Sequence, residues 1–280
     1  MLCRTVLAAL SAFGGAVHAM PQFSNTGPST GGSGPYTADY STTDALPRHT
    51  LYYPKDIPEG LRLPVLIWGE GGCAADGLQF LGFLNEVASH GFFIVASGAP
   101  NGSGQTTSEW MTEAIDWVTS DEAKAAHPYI ESSRIAAAGQ SCGGVEAYDM
   151  VPDERVVSIG IFNSGLMQPA RSEAVAPTVK KPIFYFIGGS ADIAYANAER
   201  DWALLPADTP RWKGNLAVGH SGTYRELDGG AFGVAGTRFL QWTLRGDTEA
   251  AEFFTGGEAE AAGWAVESGS LDKIDVEPLE

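Results

Sequence analysis

Short, continuous apolar runs alternate along this chain with stretches patterned as helices, and no other feature constrains the fold as strongly. Leu63–Trp68 and Phe92–Ala96 are too uniformly apolar for strands with one wet face, and Arg134–Ala138, Val156–Phe162 and Pro182–Ile187 read as three further strands. The first two read as strands buried on both sides. Asn215–Val218 reads as a short further strand, and His49–Tyr53, ending at Pro54, as a β-prone stretch before the first run. Between them, Leu78–Ser89 carries Phe80, Phe83, Leu84 and Val87 at helical spacing. Ser108–Ala126 turns Met111, Ile115, Trp117 and Val118 to one side, with Ser108 as its N-cap, and a last helix is expected over Gly233–Leu244. Strands joined through helices imply right-handed crossovers and a mainly parallel sheet with helices on both faces. No linker-like stretch interrupts residues 36–245 and no repeat is present, so one α/β domain is expected there.

Composition narrows the partners. Hydrophobic residues make up 44% of the 280, enough for a large core, which excludes disorder as the main state. With 17 basic against 34 acidic residues and a net charge of −17, the chain repels phosphate backbones and anionic lipid, so no nucleic-acid partner is expected. Arg4 followed by the apolar run Val6–Val17 and the small-residue site Val17-His18-Ala19 reads as a secretory signal peptide over residues 1–19, cut before Met20. The run is too short to span a bilayer, and nothing later is a candidate span. The Ser/Thr/Gly/Pro-rich residues 20–35 read as a flexible leader. Residues 246–280, with ten of the 34 acids, read as a solvated acidic extension in which Phe253, Phe254, Trp264 and Val266 are the side chains able to pack. Export removes Cys3 and leaves Cys73 and Cys142, an even pair that predicts one disulfide. Asn101-Gly102-Ser103 is the one N-glycosylation acceptor, placed among turn residues.

The chemistry lies in Gly139-Gln140-Ser141-Cys142-Gly143, a G-x-S-x-G sequence directly after a strand and before a helix-like stretch from Val145. In that setting the serine sits on a sharp turn with its hydroxyl exposed, and glycine is needed two residues to either side. A serine hydroxyl needs a base to become nucleophilic. Of His49, His90, His127 and His220, the first lies inside a strand and the next two close helices. His220 follows the last strand in a small loop, where such sheets bind ligands. Asp192, after the fifth strand, is the carboxylate expected to orient it. Asp201 and Asp208 fall later, and the position after the preceding strand holds Asn163 and Ser164. An oxyanion would take the backbone N–H of Cys142 and one from Gly72 or Gly71, in the loop after the first buried strand. Glu70 in that loop would oppose an oxyanion, so its side chain is expected to point away. A Cys73–Cys142 disulfide would clamp the two donor segments together. No His/Cys/Asp cluster has metal-ligand spacing and Gly69-Glu70-Gly71-Gly72 is not a phosphate loop, so no metal or cofactor is expected.

At these residues the chain resembles the α/β-hydrolase superfamily over roughly residues 36–245. Gly34-Pro35-Tyr36, Tyr52-Tyr53-Pro54 and Ser89-His90-Gly91-Phe92 are similar to the lidless group of dienelactone hydrolases, platelet-activating-factor acetylhydrolase and cutinase-like polyester hydrolases. The resemblance implies a secreted carboxylic-ester hydrolase without a large cap domain, with Ser141 as nucleophile, Asp192 as acid and His220 as base, acting on small or polymeric esters. The same machinery would serve a peptidase or acyltransferase, and a catalytically inactive binding protein is the reading from another class. The loop Trp68–Cys73 matches neither His-Gly-Gly-Gly nor Pro-Gly-aromatic. The cysteine beside the serine is similar to secreted tannase and feruloyl-esterase types, but no cysteine flanks His220 here, so substrate class does not carry over. Leu166–Lys180 is expected to form a small flap, and Trp110, Met167 and Tyr195 to line the cleft.

Overall fold

The structure, a computed structural model, describes residues 30–279, so the expected signal peptide and most of the leader lie outside the described residues. In chain order the elements are β1 (Ala38–Ser41), β2 (His49–Pro54), β3 (Leu63–Gly69), α1 (Leu81–Ser89), β4 (Phe93–Ser97), α2 (Ser108–Val118), α3 (Asp121–Ala126), β5 (Ile130–Gln140), α4 (Cys142–Tyr148), β6 (Val156–Phe162), α5 (Pro169–Val175), β7 (Ile183–Ile187), α6 (Tyr195–Leu204), β8 (Arg211–Asn215), α7 (Gly230–Arg245), α8 (Thr248–Thr255), α9 (Glu258–Ala261) and β9 (Ala265–Gly269). The strands form one nine-stranded sheet, ordered β1-β2-β4-β3-β5-β6-β7-β8-β9. The middle, from β4 through β3 to β8, is parallel, while β1, β2 and β9 add antiparallel at the edges.

The uniformly apolar runs are explained by a core on each face. Val65 and Ile67 of β3, Phe93 and Val95 of β4 and Tyr185 of β7 face one side with Met111, Ile115 and Ala147 of α2 and α4. Leu66, Trp68, Ile94, Phe184 and Phe186, the alternate positions, face the other with Phe83 of α1, Phe239 of α7 and Phe254 of α8. Strand order reverses between β3 and β5, since the chain passes from β3 outward to β4 and then returns to β5 on the opposite side. In open parallel sheets the crevice at such a reversal, outside the carboxyl ends of the strands, is where ligands bind. The two loops that open there are Glu70–Cys73 and the one residue between β5 and α4, Ser141.

Several elements differ from expectation. The stretch expected as one helix over Ser108–Ala126 breaks at Thr119–Ser120, because Ser120 caps α3, its hydroxyl accepting from the Ala123 N–H at 3.1 Å. Thr107, not Ser108, precedes α2. The strand expected at Asn215–Val218 lies earlier, as β8. Its Lys213 is fully buried against Glu199 at 2.7 Å and Glu267 at 2.8 Å, and the charge hid the strand from a hydropathy reading. The Glu267 partner belongs to β9, so residues 246–279 are not a solvated extension: they add two helices and an edge strand, with Phe253, Phe254 and Trp264 buried. Nor does the end of the leader stand free. Ser33 donates to Glu86 through its N–H at 2.6 Å and its hydroxyl at 2.7 Å, and Gly34 N–H donates to the Ser89 hydroxyl at 2.9 Å. Among the described residues no helix is long and apolar enough to cross a membrane.

Candidate active site

Ser141 is the N-cap of α4 and sits in left-handed backbone, φ 52° and ψ −113°. This conformation is disfavoured for a residue with a Cβ, and the surroundings hold it: its N–H donates to the Phe162 carbonyl at 2.9 Å and its carbonyl accepts from the Ser164 hydroxyl at 2.5 Å. The turn demands the expected glycines. A Cβ on Gly143 would lie well inside contact with the Gly69 carbonyl, and one on Gly139 would strike the Gly143 backbone. The approach that forbids side chains there lets the Gly143 N–H reach the Glu70 carbonyl at 3.1 Å, which seats the first turn of α4 against the loop after β3.

His220 Nε2 lies 3.0 Å from Ser141 Oγ, and its Nδ1 lies 2.6 Å from Asp192 Oδ1. The three expected residues are thus brought together from the loops after β5, β7 and β8. Asp192 is buried. Burial alone would raise its carboxyl, but hydrogen bonds from His220, from the Ala194 N–H at 2.9 Å, from Asn163 at 2.7 Å and from the Gly188 N–H at 2.9 Å outweigh it and hold the group below its ordinary value. It therefore stays a carboxylate facing the imidazole. The bond from the Ala194 N–H closes a turn just before α6, whose N-cap is Ala194 rather than Asp192.

The other acids and histidines stay apart from this group. Asp201 is buried in α6, accepting from the Leu166 N–H at 2.7 Å and the Tyr148 hydroxyl at 3.0 Å. His49 Nε2 is held at the Trp110 carbonyl at 3.0 Å, His90 pairs with Glu86 at 3.0 Å, and His127 packs against Tyr53, Phe93, Trp117 and Tyr129. Asp208 lies in the turn before β8.

Gly71 and Gly72, in a 3-10 turn over Gly71–Cys73, share a cavity with Ser141. Cys142 opens α4, where no preceding turn supplies a carbonyl for its N–H. Cys73 and Cys142 are joined in a disulfide, with Cα atoms 5.1 Å apart. Glu70 points away from the cavity, fully buried, with the Trp68 indole N–H donating to its Oε2 at 3.3 Å. Burial raises its carboxyl well above the usual range, more than the indole lowers it, which favours the uncharged form beneath the loop. Asn101 lies exposed on a turn at φ 54°.

Sequence reasoning read Asn163 only as an absent carboxylate. In the structure it is the hub of the site. Its amide donates to Asp192 Oδ2 at 2.7 Å and to the Gly219 carbonyl at 3.2 Å, while its Oδ1 accepts from the Tyr224 hydroxyl at 2.7 Å. Burial, with the Asp192 charge, keeps Tyr224 protonated. Asn163 also sits at a positive φ of 43°, a region asparagine tolerates better than most residues, and nothing local in the sequence marks its role. Gln140, to which sequence reasoning assigns no role, also braces the site: its amide donates to the His220 carbonyl at 3.1 Å. Of the expected cleft residues, Met167 lines the cavity beside Ser141, but Trp110 is engaged under Arg48, 4.3 Å from its ring, and Ile193, not Tyr195, takes the remaining place.

No family model matches this chain, and no curated protein matches it either.

Proposed function

We propose that this protein is a secreted serine hydrolase of the α/β-hydrolase type, without a large cap domain, that cleaves carboxylic esters through an acyl-enzyme on Ser141. The observation that carries the reading is the unbroken line from Ser141 Oγ through His220 to Asp192, at 3.0 Å and 2.6 Å, on a strand–turn–helix serine. In this reading His220 Nε2 takes the Ser141 proton as Oγ bonds to the acyl carbon. The tetrahedral oxyanion is held by the N–H groups of Cys142 and of Gly72 or Gly71. The proton then passes to the departing alcohol, and water, deprotonated by the same imidazole, releases the acid and restores Ser141. Asp192 holds the imidazole with Nδ1 protonated and stabilises the imidazolium. Supporting the reading, the carboxyl group of Glu70, beside the oxyanion loop, is turned under it, where burial favours its uncharged form.

The test is intact-mass spectrometry after a fluorophosphonate probe, on the parent and on Ser141→Ala. One stoichiometric adduct in the parent, lost in the variant, is expected. A folded, oxidised parent that takes no adduct would sink the proposal.

A further inference from the structure

Two cavities meet at Ser141 and His220, and their walls differ in kind. One, of about 320 Å³, has Gln79, Gln140, Ser221 and Arg225 in its wall. The other, of about 240 Å³, has Val145, Met167 and Ile193 in its wall beside Asn163, Ser164 and Asn197, and Met167 and Ile193 are 68% and 78% exposed, unusual for large apolar side chains beside a candidate site. We infer that the polar cavity receives the alcohol half of the ester as a neutral polyhydroxyl group, glycerol or a single sugar ring, and that the apolar cavity receives a short hydrocarbon acyl group. The inference rests on the ester-hydrolase reading and specifies its substrate.

The orientation follows from which elements wall each side. The acyl group stays on Ser141 after the first step, and the first turn of α4, with Cys142 and Val145, walls only the apolar cavity. The alcohol leaves with the proton from His220, and the residues after it, Ser221 and Arg225, wall only the polar one. A neutral hydroxylated group fits the polar wall better than an anion. Gln79 and Gln140 each carry a donor and an acceptor in this wall, and the Gln79 carboxamide oxygen has no partner among the described residues. Hydroxyls both donate and accept, so one such group can meet the carboxamides of Gln79 and Gln140, the Ser221 hydroxyl and the Arg225 guanidinium together, whereas a carboxylate or phosphate answers only the donors among them and is repelled by the net charge of −17. Size agrees: at about 30 Å³ for each water-sized group, the cavities hold about eleven and about eight such groups.

The experiment compares glycerol 1-butyrate, butyl butyrate and the reversed ester butyl glycerate by acid release at constant pH, beside fluorophosphonate labelling. Expected is a kcat/KM at least tenfold higher for glycerol butyrate than for butyl butyrate, with butyl glycerate slowest. Gln79→Leu should lower the first ratio toward one, and the ratio in the parent stands as evidence even if that variant fails to fold. Equal rates on the two butyrates, or a faster butyl glycerate, overturn the inference. Labelled Ser141 with no ester cleaved overturns it while leaving an activated serine in place. No labelling removes the hydrolase reading and the inference with it.

Discussion

Asn163→Asp replaces the amide that donates to Asp192 Oδ2 at 2.7 Å with a carboxyl of the same shape, so packing gives no reason for change and charge gives a large one. Two carboxylates at that separation repel by about 6 kcal/mol at an effective dielectric of about 20, or about four pKa units as an upper bound. Taking about half to two-thirds of that, the pair keeps one shared proton up to a pH well above the ordinary carboxylate range. Below that value the proton lies between residue 163 and Asp192 Oδ2 and stands in for the lost amide hydrogen, and His220 still meets Asp192 Oδ1. Above it, a second charge is forced into a site where Asp192 is already buried.

The sign follows from the direction of the shift. A carboxyl whose folded pKa is raised stabilises fully below its unfolded value of about 4 and loses that contribution as pH climbs through the folded value. At pH 8 the loss is about 3–4 kcal/mol, which for a chain of this size lowers the melting temperature by about 10 °C. Thermal melts of parent and Asn163→Asp followed by circular dichroism from pH 5 to 9, with the fluorophosphonate labelling rate at each pH, test this. The melts should differ at pH 5 only by the small cost of the lost bond to the Gly219 carbonyl and separate further as pH rises, with labelling of the variant failing over the same interval. A melting difference that stays constant across pH 5–9 would refute the argument, because it would show a packing defect rather than a titrating pair.

Glu70→Gln tests the neutral buried acid: the raised carboxyl costs the parent stability as pH rises above about 4, so the variant should melt higher than the parent at pH 8 and close to it at pH 4. Equal destabilisation at both pH values would count against a neutral Glu70. Reduction of Cys73–Cys142, which closes a loop of 69 residues, should remove about 4 kcal/mol on chain-entropy grounds and abolish fluorophosphonate labelling before far-UV circular dichroism changes; full labelling of the reduced, folded protein would show that the clamp is dispensable. Gly143→Ala drives a Cβ into the Gly69 carbonyl, a backbone against which no side chain can yield, and should cost about 3 kcal/mol. A parent-like melt would show that α4 can move away from β3.

Ser141, Asp192 and His220 were legible because each depends on local information. Each lies in the loop directly after a strand, and a parallel sheet carries all such loops to one edge, so chain order stood in for geometry. β6 was legible to its last residue for a similar reason: both of its faces are buried, and an apolar run ends where its burial ends. What stayed hidden depends on partners far along the chain. Lys213 looks like a strand-breaking charge until Glu199 and Glu267 flank it, and only then do β8, and β9 beyond it, become part of the sheet. Asn163 looks like an empty acid position until Asp192, Gly219 and Tyr224 meet on its amide, 29, 56 and 61 residues away. Trp110 looks like a cleft aromatic until Arg48 covers it. Residues that bear the proposed chemistry announce themselves by type and spacing. Those that hold it in register do so through contacts a linear reading cannot see, which is why the most informative substitution here is at Asn163 rather than at Ser141.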